Sequence, residues 1–192
     1  MLNADKNALR KIYREKRQQL TPAAESTASD ALCARIAALA IYQDAEKIAL
    51  YQATHHEISL HPLWLLAEST LKTCYMPAIQ PDSTRLLFLP TTSETPQKRN
   101  QFHILEPDIP HTEAIALEQL DLMILPLVAF NTNGTRLGQG AGYYDRTLEQ
   151  TRPRCVLGAA YDFQQHPALH ADPWDIPLDG IVTDKNTFGS KT

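Results

Sequence analysis

Asp121-Leu-Met-Ile-Leu-Pro-Leu-Val-Ala-Phe-Asn-Thr-Asn-Gly-Thr-Arg-Leu-Gly-Gln-Gly-Ala-Gly-Tyr-Tyr144 is the stretch on which the fold turns. From Asp121 to Val128 the chain is apolar on consecutive positions, as in a central strand covered by helices on both sides; a half-exposed strand would alternate. A glycine-rich loop follows, and it runs into a predicted helix over Tyr143–Gln150. Four of the seven glycines, Gly134, Gly138, Gly140 and Gly142, fall within nine residues. Between a buried strand and a helix, such a loop can aim successive backbone N–H groups at one anion, helped by the positive end of the helix, and phosphate is the natural ligand. The spacing is G-x-G-x-G, which is neither the dinucleotide fingerprint nor a P-loop, and on the glycines alone a flexible turn is the competing reading. The flanks favour phosphate: Arg136 offers a planar fork for its oxygens, and Asp145 an oxygen ligand for magnesium.

Working outward, the spacing predicts a helix over residues 3–19, with Leu9, Ile12 and Lys16 along one face. Thr21 before Pro22 is a cap followed by a first-turn proline, opening a second helix whose stripe is Ala28, Leu32, Ile36 and Leu39. A strand at Lys47–Ala53, a helix from about Ser59 to Leu71 with Pro62 in its first turn, and a strand at Thr73–Ala78 form a β-α-β unit. Arg85–Pro90 reads as a further strand, Glu94–Glu118 is turn-rich without a clear pattern, and Cys155–Tyr161 is another apolar strand. Strands alternating with helices imply an α/β fold in three layers, α/β/α, with a mostly parallel, Rossmann-like central sheet and ligands beyond the carboxyl ends of the strands.

The 192 residues suit a single domain over 1–192, and 43% hydrophobic with 21% charged residues is an ordinary globular composition. A net charge of −4 creates no general attraction to nucleic acid or anionic membranes, so any anion site has to be built locally. The longest uncharged apolar run, Leu122–Phe130, is far short of the roughly 20 residues of a membrane span. The basic N-terminus carries Asp5 and Glu15 and has no apolar core, unlike a signal or transit peptide. Cys33, Cys74 and Cys155 form no C-x-x-C pair, which fits buried thiols in a reducing compartment. These features imply a cytoplasmic protein.

Pro126-Leu-Val-Ala-Phe130, Gly134 and Arg136-Leu-Gly-x-Gly-x-Gly-Tyr-Tyr-Asp-Arg146 together resemble the signature of the 5-formyltetrahydrofolate cyclo-ligase (5,10-methenyltetrahydrofolate synthetase) family. Lys6-x-x-Leu-Arg10 resembles its N-terminal nucleotide motif, Asn100–Pro107 a stretch ending Ile-x-Glu-Pro, and Trp174-Asp-Ile-Pro-Leu178 its C-terminal segment, so the resemblance spans nearly the whole chain. It implies conversion of 5-formyltetrahydrofolate to 5,10-methenyltetrahydrofolate with ATP as co-substrate and Mg2+ as cofactor, by a monomer. It further implies that Arg136 and Tyr144 are catalytic. Arg136, Leu137, Gly138, Gln139, Gly140, Ala141, Gly142, Tyr143 and Tyr144 would cradle ATP together with Lys6 and Arg10; Gln52 and Glu57 would hold the folate; Asp145 and Asp175 would bind the metal.

Bland readings stand beside these. Lys6 and Arg10 could be a solvated helix face, Asp175 a turn residue, and Tyr143 a packing residue instead of a stacking one. His56-Glu57-x-x-x-His61 is a poor zinc motif, because histidines five apart on a helix point about 140° from each other. Two positions depart from the family pattern: Asn131 stands where Asp is usual, which keeps the turn chemistry while losing a charge, and His103 where Gly is usual, which puts a Cβ where glycine suits the backbone of that loop. Competing functions are a non-catalytic nucleotide- or folate-binding protein, and a sugar-phosphate or acyl-CoA enzyme on a similar sheet.

Overall fold

A computed structural model describes residues 3–80 and 82–189 of the chain. Its centre is a seven-stranded sheet in the order β11-β10-β9-β6-β1-β2-β3. The strands are β1 (Lys47–Ala49), β2 (Thr73–Ile79), β3 (Leu86–Pro90), β6 (Leu122–Pro126), β9 (Cys155–Ala160), β10 (Gly180–Thr183) and β11 (Thr187–Gly189). The run from β10 through β9, β6 and β1 to β2 is parallel; β3 and β11 are antiparallel edges. β2 lies to one side of β1 and β6 to the other, so the order reverses beside β1, and the crevice at such a reversal is where doubly wound sheets bind ligands.

β6 is buried from Leu122 to Leu125, as the unbroken apolar run requires, with Ile48↔Leu122 on one side and Leu122↔Cys155 on the other. On one face Ile48, Cys74, Ile124 and Leu157 meet Leu32 and Ile36 of α2 (Pro22–Ala37), Tyr42 of α3 (Ala40–Asp44) and Leu63 of α4 (His61–Ser69). Each large apolar side chain buried there contributes about 1.5–3 kcal/mol. The opposite face, with Met123, Leu125, Val156 and Ile181, is covered by Leu148 of α5 (Tyr143–Leu148) and by Leu120, Leu127 and Leu178 from connecting segments. The second outer layer is therefore built largely from loops and 3₁₀ turns.

Several elements differ from the sequence expectation. α1 (Asn3–Gln18) buries Lys6, Tyr13 and Arg17 and leaves Ile12 46% exposed, so the face toward the protein is the cationic one and not the Leu9–Ile12–Lys16 stripe. That face meets a polar cleft and a small hairpin of β7 (Ala129–Phe130) and β8 (Arg136–Leu137), against which Tyr13 packs. The hairpin stands between β6 and the glycine loop, which therefore does not leave the central strand directly. α2 has the expected cap, Thr21 Oγ1 accepting from Ala24 N at 3.2 Å, but ends before Leu39, which opens α3. β1 stops at Ala49, short of the expected Ala53: Leu50 N still donates to the Tyr75 carbonyl at 2.9 Å, and the loop that follows is held by Tyr51, which donates to the Ile58 carbonyl at 2.6 Å. α5 is six residues long, two fewer than expected. The unassigned stretch 94–118 contains a hairpin of β4 (Gln97–Arg99) and β5 (Leu105–Pro107), and β10 and β11 were not expected at all.

Both departures from the family pattern are accommodated. Asn131 accepts from Asn133 N and Thr135 N, while its amide donates to the Leu169 carbonyl at 2.8 Å, a bond a carboxylate could not make. His103 adopts a left-handed φ of 61° at the β4–β5 turn, keeping the turn a glycine would make.

Candidate active site

A cleft of about 1020 Å³ opens at the carboxyl ends of β1 and β6, and every residue the family resemblance implies for ATP, folate or metal lines it. They form three neighbouring groups.

The first is the glycine loop. Among the described residues, the N–H groups of Gly138, Gln139, Gly140 and Ala141 donate no hydrogen bond, so they are available to a ligand. Gly140 has φ +109°, and a Cβ there would sit 3.4 Å from the Arg10 guanidinium carbon; Gly142 has φ +70° and precedes α5 without a side-chain cap. L side chains rarely adopt such angles, so glycine is required for the loop to lie this close to α1. Because α5 is short, anion binding rests on the loop amides more than on a helix dipole.

The second group is cationic and comes from α1. Arg10 Nε donates to the Gly138 carbonyl at 2.9 Å, and Arg14 donates to Gln139 Oε1 at 2.7 Å, so α1 grips the loop. Lys6 is 5% exposed, with its ammonium 2.7 Å from Asp172 and 3.3 Å from Asp175. It is not a solvated surface charge. Arg136, likewise buried, pairs with Asp145 and donates to the Ile176 carbonyl. The amide of Ile176 lies 3.4 Å from Asp145 Oδ1, which brings the segment carrying Asp175 beside Asp145. Asp145 and Asp175 both line the cleft, the first paired with Arg136 and the second with Lys6; their oxygens are of the hard type magnesium takes, and among the described residues no group of three or more His, Cys, Asp or Glu is gathered for a metal.

The third group surrounds Glu57. Its Oε2 accepts from the Thr54 N–H at 3.1 Å and its Oε1 from Gln139 Nε2 at 2.7 Å. α4 begins at His61, beyond Glu57, and His56 pairs with Glu25 at 2.6 Å, so His56 and His61 do not share a helix. Gln52 and Tyr143 line the cleft, and Phe102 lies edge-on to Tyr143 with ring centroids 6.0 Å apart. Tyr144 packs into the core beneath it; burial, with the Glu57 charge adding and Arg136 opposing, pushes its hydroxyl well above the usual tyrosine range.

Some cleft residues escaped the sequence reading. Arg14 continues the four-residue spacing of Lys6 and Arg10, and that periodicity was a usable signal. Asp172 carries no local signal, because only the chain path beside Lys6 gives it a place.

Known proteins match this architecture along its length. The 5-formyltetrahydrofolate cyclo-ligase family profile matches residues 2–184. A 5-formyltetrahydrofolate cyclo-ligase of Haemophilus influenzae is 36% identical over 91% of this chain and 95% of its own, and one of Escherichia coli is 33% identical over 90% and 96%. The solved 5,10-methenyltetrahydrofolate synthetase of Aquifex aeolicus superposes with a TM-score of 0.83 at 32% identity, covering 96% of this chain and 92% of that one. The cleft, its glycine loop and this similarity agree, and the chain belongs to the 5-formyltetrahydrofolate cyclo-ligase family.

Proposed function

We propose that this protein converts 5-formyltetrahydrofolate to 5,10-methenyltetrahydrofolate, consuming ATP and releasing ADP and phosphate. The observation that carries the reading is the adjacency, in one cleft, of an anion cradle and a separate acceptor carboxylate, Glu57, joined by Gln139. A formamide oxygen is a poor leaving group; moving the γ-phosphoryl of ATP onto it makes it a good one, after which folate N10 attacks the formyl carbon and phosphate departs. Phosphoryl transfer asks a protein mainly for positioning and charge neutralisation. The loop from Arg136 to Tyr144, with Lys6 and Arg10, supplies both for the triphosphate. Gln52 and Glu57 hold the folate, Glu57 accepting from pterin N–H groups, and Tyr143 with Phe102 offers aromatic surface for the ring system.

Asp145 and Asp175 would hold magnesium, whose charge offsets that of the phosphate oxygens. For its ammonium to reach phosphate, Lys6 exchanges its carboxylate partners for the nucleotide. The reading includes a monomeric, cytoplasmic enzyme. Buried free cysteines are compatible with a reducing compartment, and no helix among the described residues is long and apolar enough to cross a membrane.

The test is incubation with magnesium, ATP and 5-formyltetrahydrofolate, following the ultraviolet absorbance of the methenyl product. The absorbance rises only with all three present; turnover without nucleotide would overturn the proposal.

A further inference from the structure

The cationic face of α1 does not stop at the cleft. Lys6, Arg10 and Arg14 line it, whereas Arg17, the next residue on that face, lies behind it and is 0% exposed. Among the described residues, none of the three guanidinium nitrogens of Arg17 makes a hydrogen bond. Its ion-pair partner is Glu57, with Nη1 3.8 Å from Oε1 and the Glu57 side chain 5% exposed. Burial lowers the Arg17 pKa, and the Glu57 charge is the largest influence opposing that.

An enclosed guanidinium without acceptors is unfavourable, and an apolar side chain of similar length would fill the same space with less cost to the fold. The charge at position 17 therefore needs a use, and among the described residues the only carboxylate paired with it is the one assigned to the folate. Oε2 of Glu57 is held by Thr54 through its N–H and hydroxyl. Oε1 faces two groups, Arg17 from the interior and Gln139 Nε2, which lines the cleft. Gln139 is a neutral donor that an incoming ring N–H can replace, since its oxygen side is separately held by Arg14. Arg17 has no such exit.

We propose that Arg17 is a positioning residue for substrate recognition: a buried cation that holds the Glu57 carboxylate in place and balances its charge while the cleft side of that carboxylate exchanges Gln139 for the N–H donors of a pterin-type ring. Arg17 touches neither substrate, so its effect runs wholly through Glu57. The inference rests on the folate assignment of Glu57 made above.

The experiment measures dissociation constants by isothermal titration, for 5-formyltetrahydrofolate and for a non-hydrolysable ATP analogue, in Arg17→Met and Arg17→Lys. Each variant is made in the natural and in the Glu57→Gln background. Arg17→Met should weaken folate binding roughly tenfold to hundredfold, the loss of a charge-supported hydrogen bond, and leave the nucleotide constant within about twofold. Arg17→Lys, which keeps the charge, should recover most of that loss. In the Glu57→Gln background neither change should add a further folate defect, because the group that Arg17 positions is gone.

The proposal is overturned if Arg17→Met leaves folate affinity unchanged, weakens both ligands alike, is not rescued by Lys, or costs as much without Glu57 as with it. Should Arg17→Met fail to fold, Arg17→Gln, a neutral residue that can still hydrogen-bond, takes its place: a folate defect confined to the natural background and recovered in Arg17→Lys supports the proposal, and its absence, or an equal defect in both backgrounds, overturns it. Failure of the underlying folate reading looks different: the unaltered protein would not bind 5-formyltetrahydrofolate, or Glu57→Gln by itself would leave its affinity unchanged.

Discussion

Asp145 is held twice, by the Arg136 guanidinium and by the Ile176 amide, and this pairing shapes what its replacement does. Asp145→Asn keeps the size of the side chain but removes the charge of the carboxylate proposed to hold magnesium and leaves a buried arginine without its counter-charge. Activity should fall by about 100-fold, in the upper range for disturbed metal sites, with half-saturation shifted to higher magnesium. The melting transition should lose about 1–3 kcal/mol from the unpaired arginine. A magnesium titration of initial rates, paired with thermal unfolding, checks both parts; wild-type kinetics at limiting magnesium would remove Asp145 from the metal set. Asp145 and Arg136 were legible from the sequence because the glycine loop flags its own neighbours. The Lys6–Asp172 pair was not, since 166 positions separate its members and nothing local to either announces the other.

At the scale of elements, the β4–β5 turn shows how a departure from a family pattern is absorbed. Asn100 Oδ1 accepts from Phe102 N at 2.9 Å and Ile104 N at 3.2 Å, and Arg99 donates to the His103 carbonyl at 2.6 Å. These contacts use the backbone of the turn, the His103 carbonyl included, and none needs the His103 side chain, which is exposed. The left-handed angle costs a residue with a Cβ about 1–2 kcal/mol, part of which returns when glycine loosens the unfolded chain. His103→Gly should therefore stabilise the protein by about 0.5–1 kcal/mol, raising the melting temperature by about 1–4 °C. Differential scanning calorimetry reads this directly, and a lower melting temperature would mean that the imidazole contributes packing the turn requires. The hairpin itself lacked a sequence signal, because strands of three residues are too short for alternation to register.

Over the whole molecule, the two sides of the sheet differ in what they conceal. Cys33 and Cys74 belong to the helix-covered core, where burial raises their thiols from 9.0 to about 11 and about 12. Both groups are neutral in the folded protein at pH values where the unfolded chain begins to ionise them. Their contribution to stability is complete below about pH 9 and is lost as pH rises from 9 toward 11 and 12. Unfolding by urea at stepped pH should show stability falling through that window, and more gently in Cys74→Ala once its baseline is subtracted. Native protein at pH 8 should react slowly with thiol reagents and rapidly once unfolded, since the thiolate is the reactive form. Fast modification of all three cysteines in the folded state would contradict the burial.

Lys6, Arg10, Gln52, Glu57 and Asp175 were implied by the family resemblance, whereas the sequence by itself determined the class of fold, the central strand at β6 and the glycine loop flanked by Arg136 and Asp145. Those features are carried by local chemistry: consecutive apolar positions demand cover on both faces, and clustered glycines demand unusual backbone. Only the tertiary structure decided which face of α1 turns inward. By periodicity the apolar stripe of Leu9 and Ile12 had the better claim, yet the helix lies over a polar cleft, so Lys6, Arg10 and Arg17 are drawn in and Ile12 is left exposed. The inward surface of a helix is set by what it packs against, and in this chain the glycine loop, Glu57 and the 172–176 segment that receive α1 come from distant parts of the sequence.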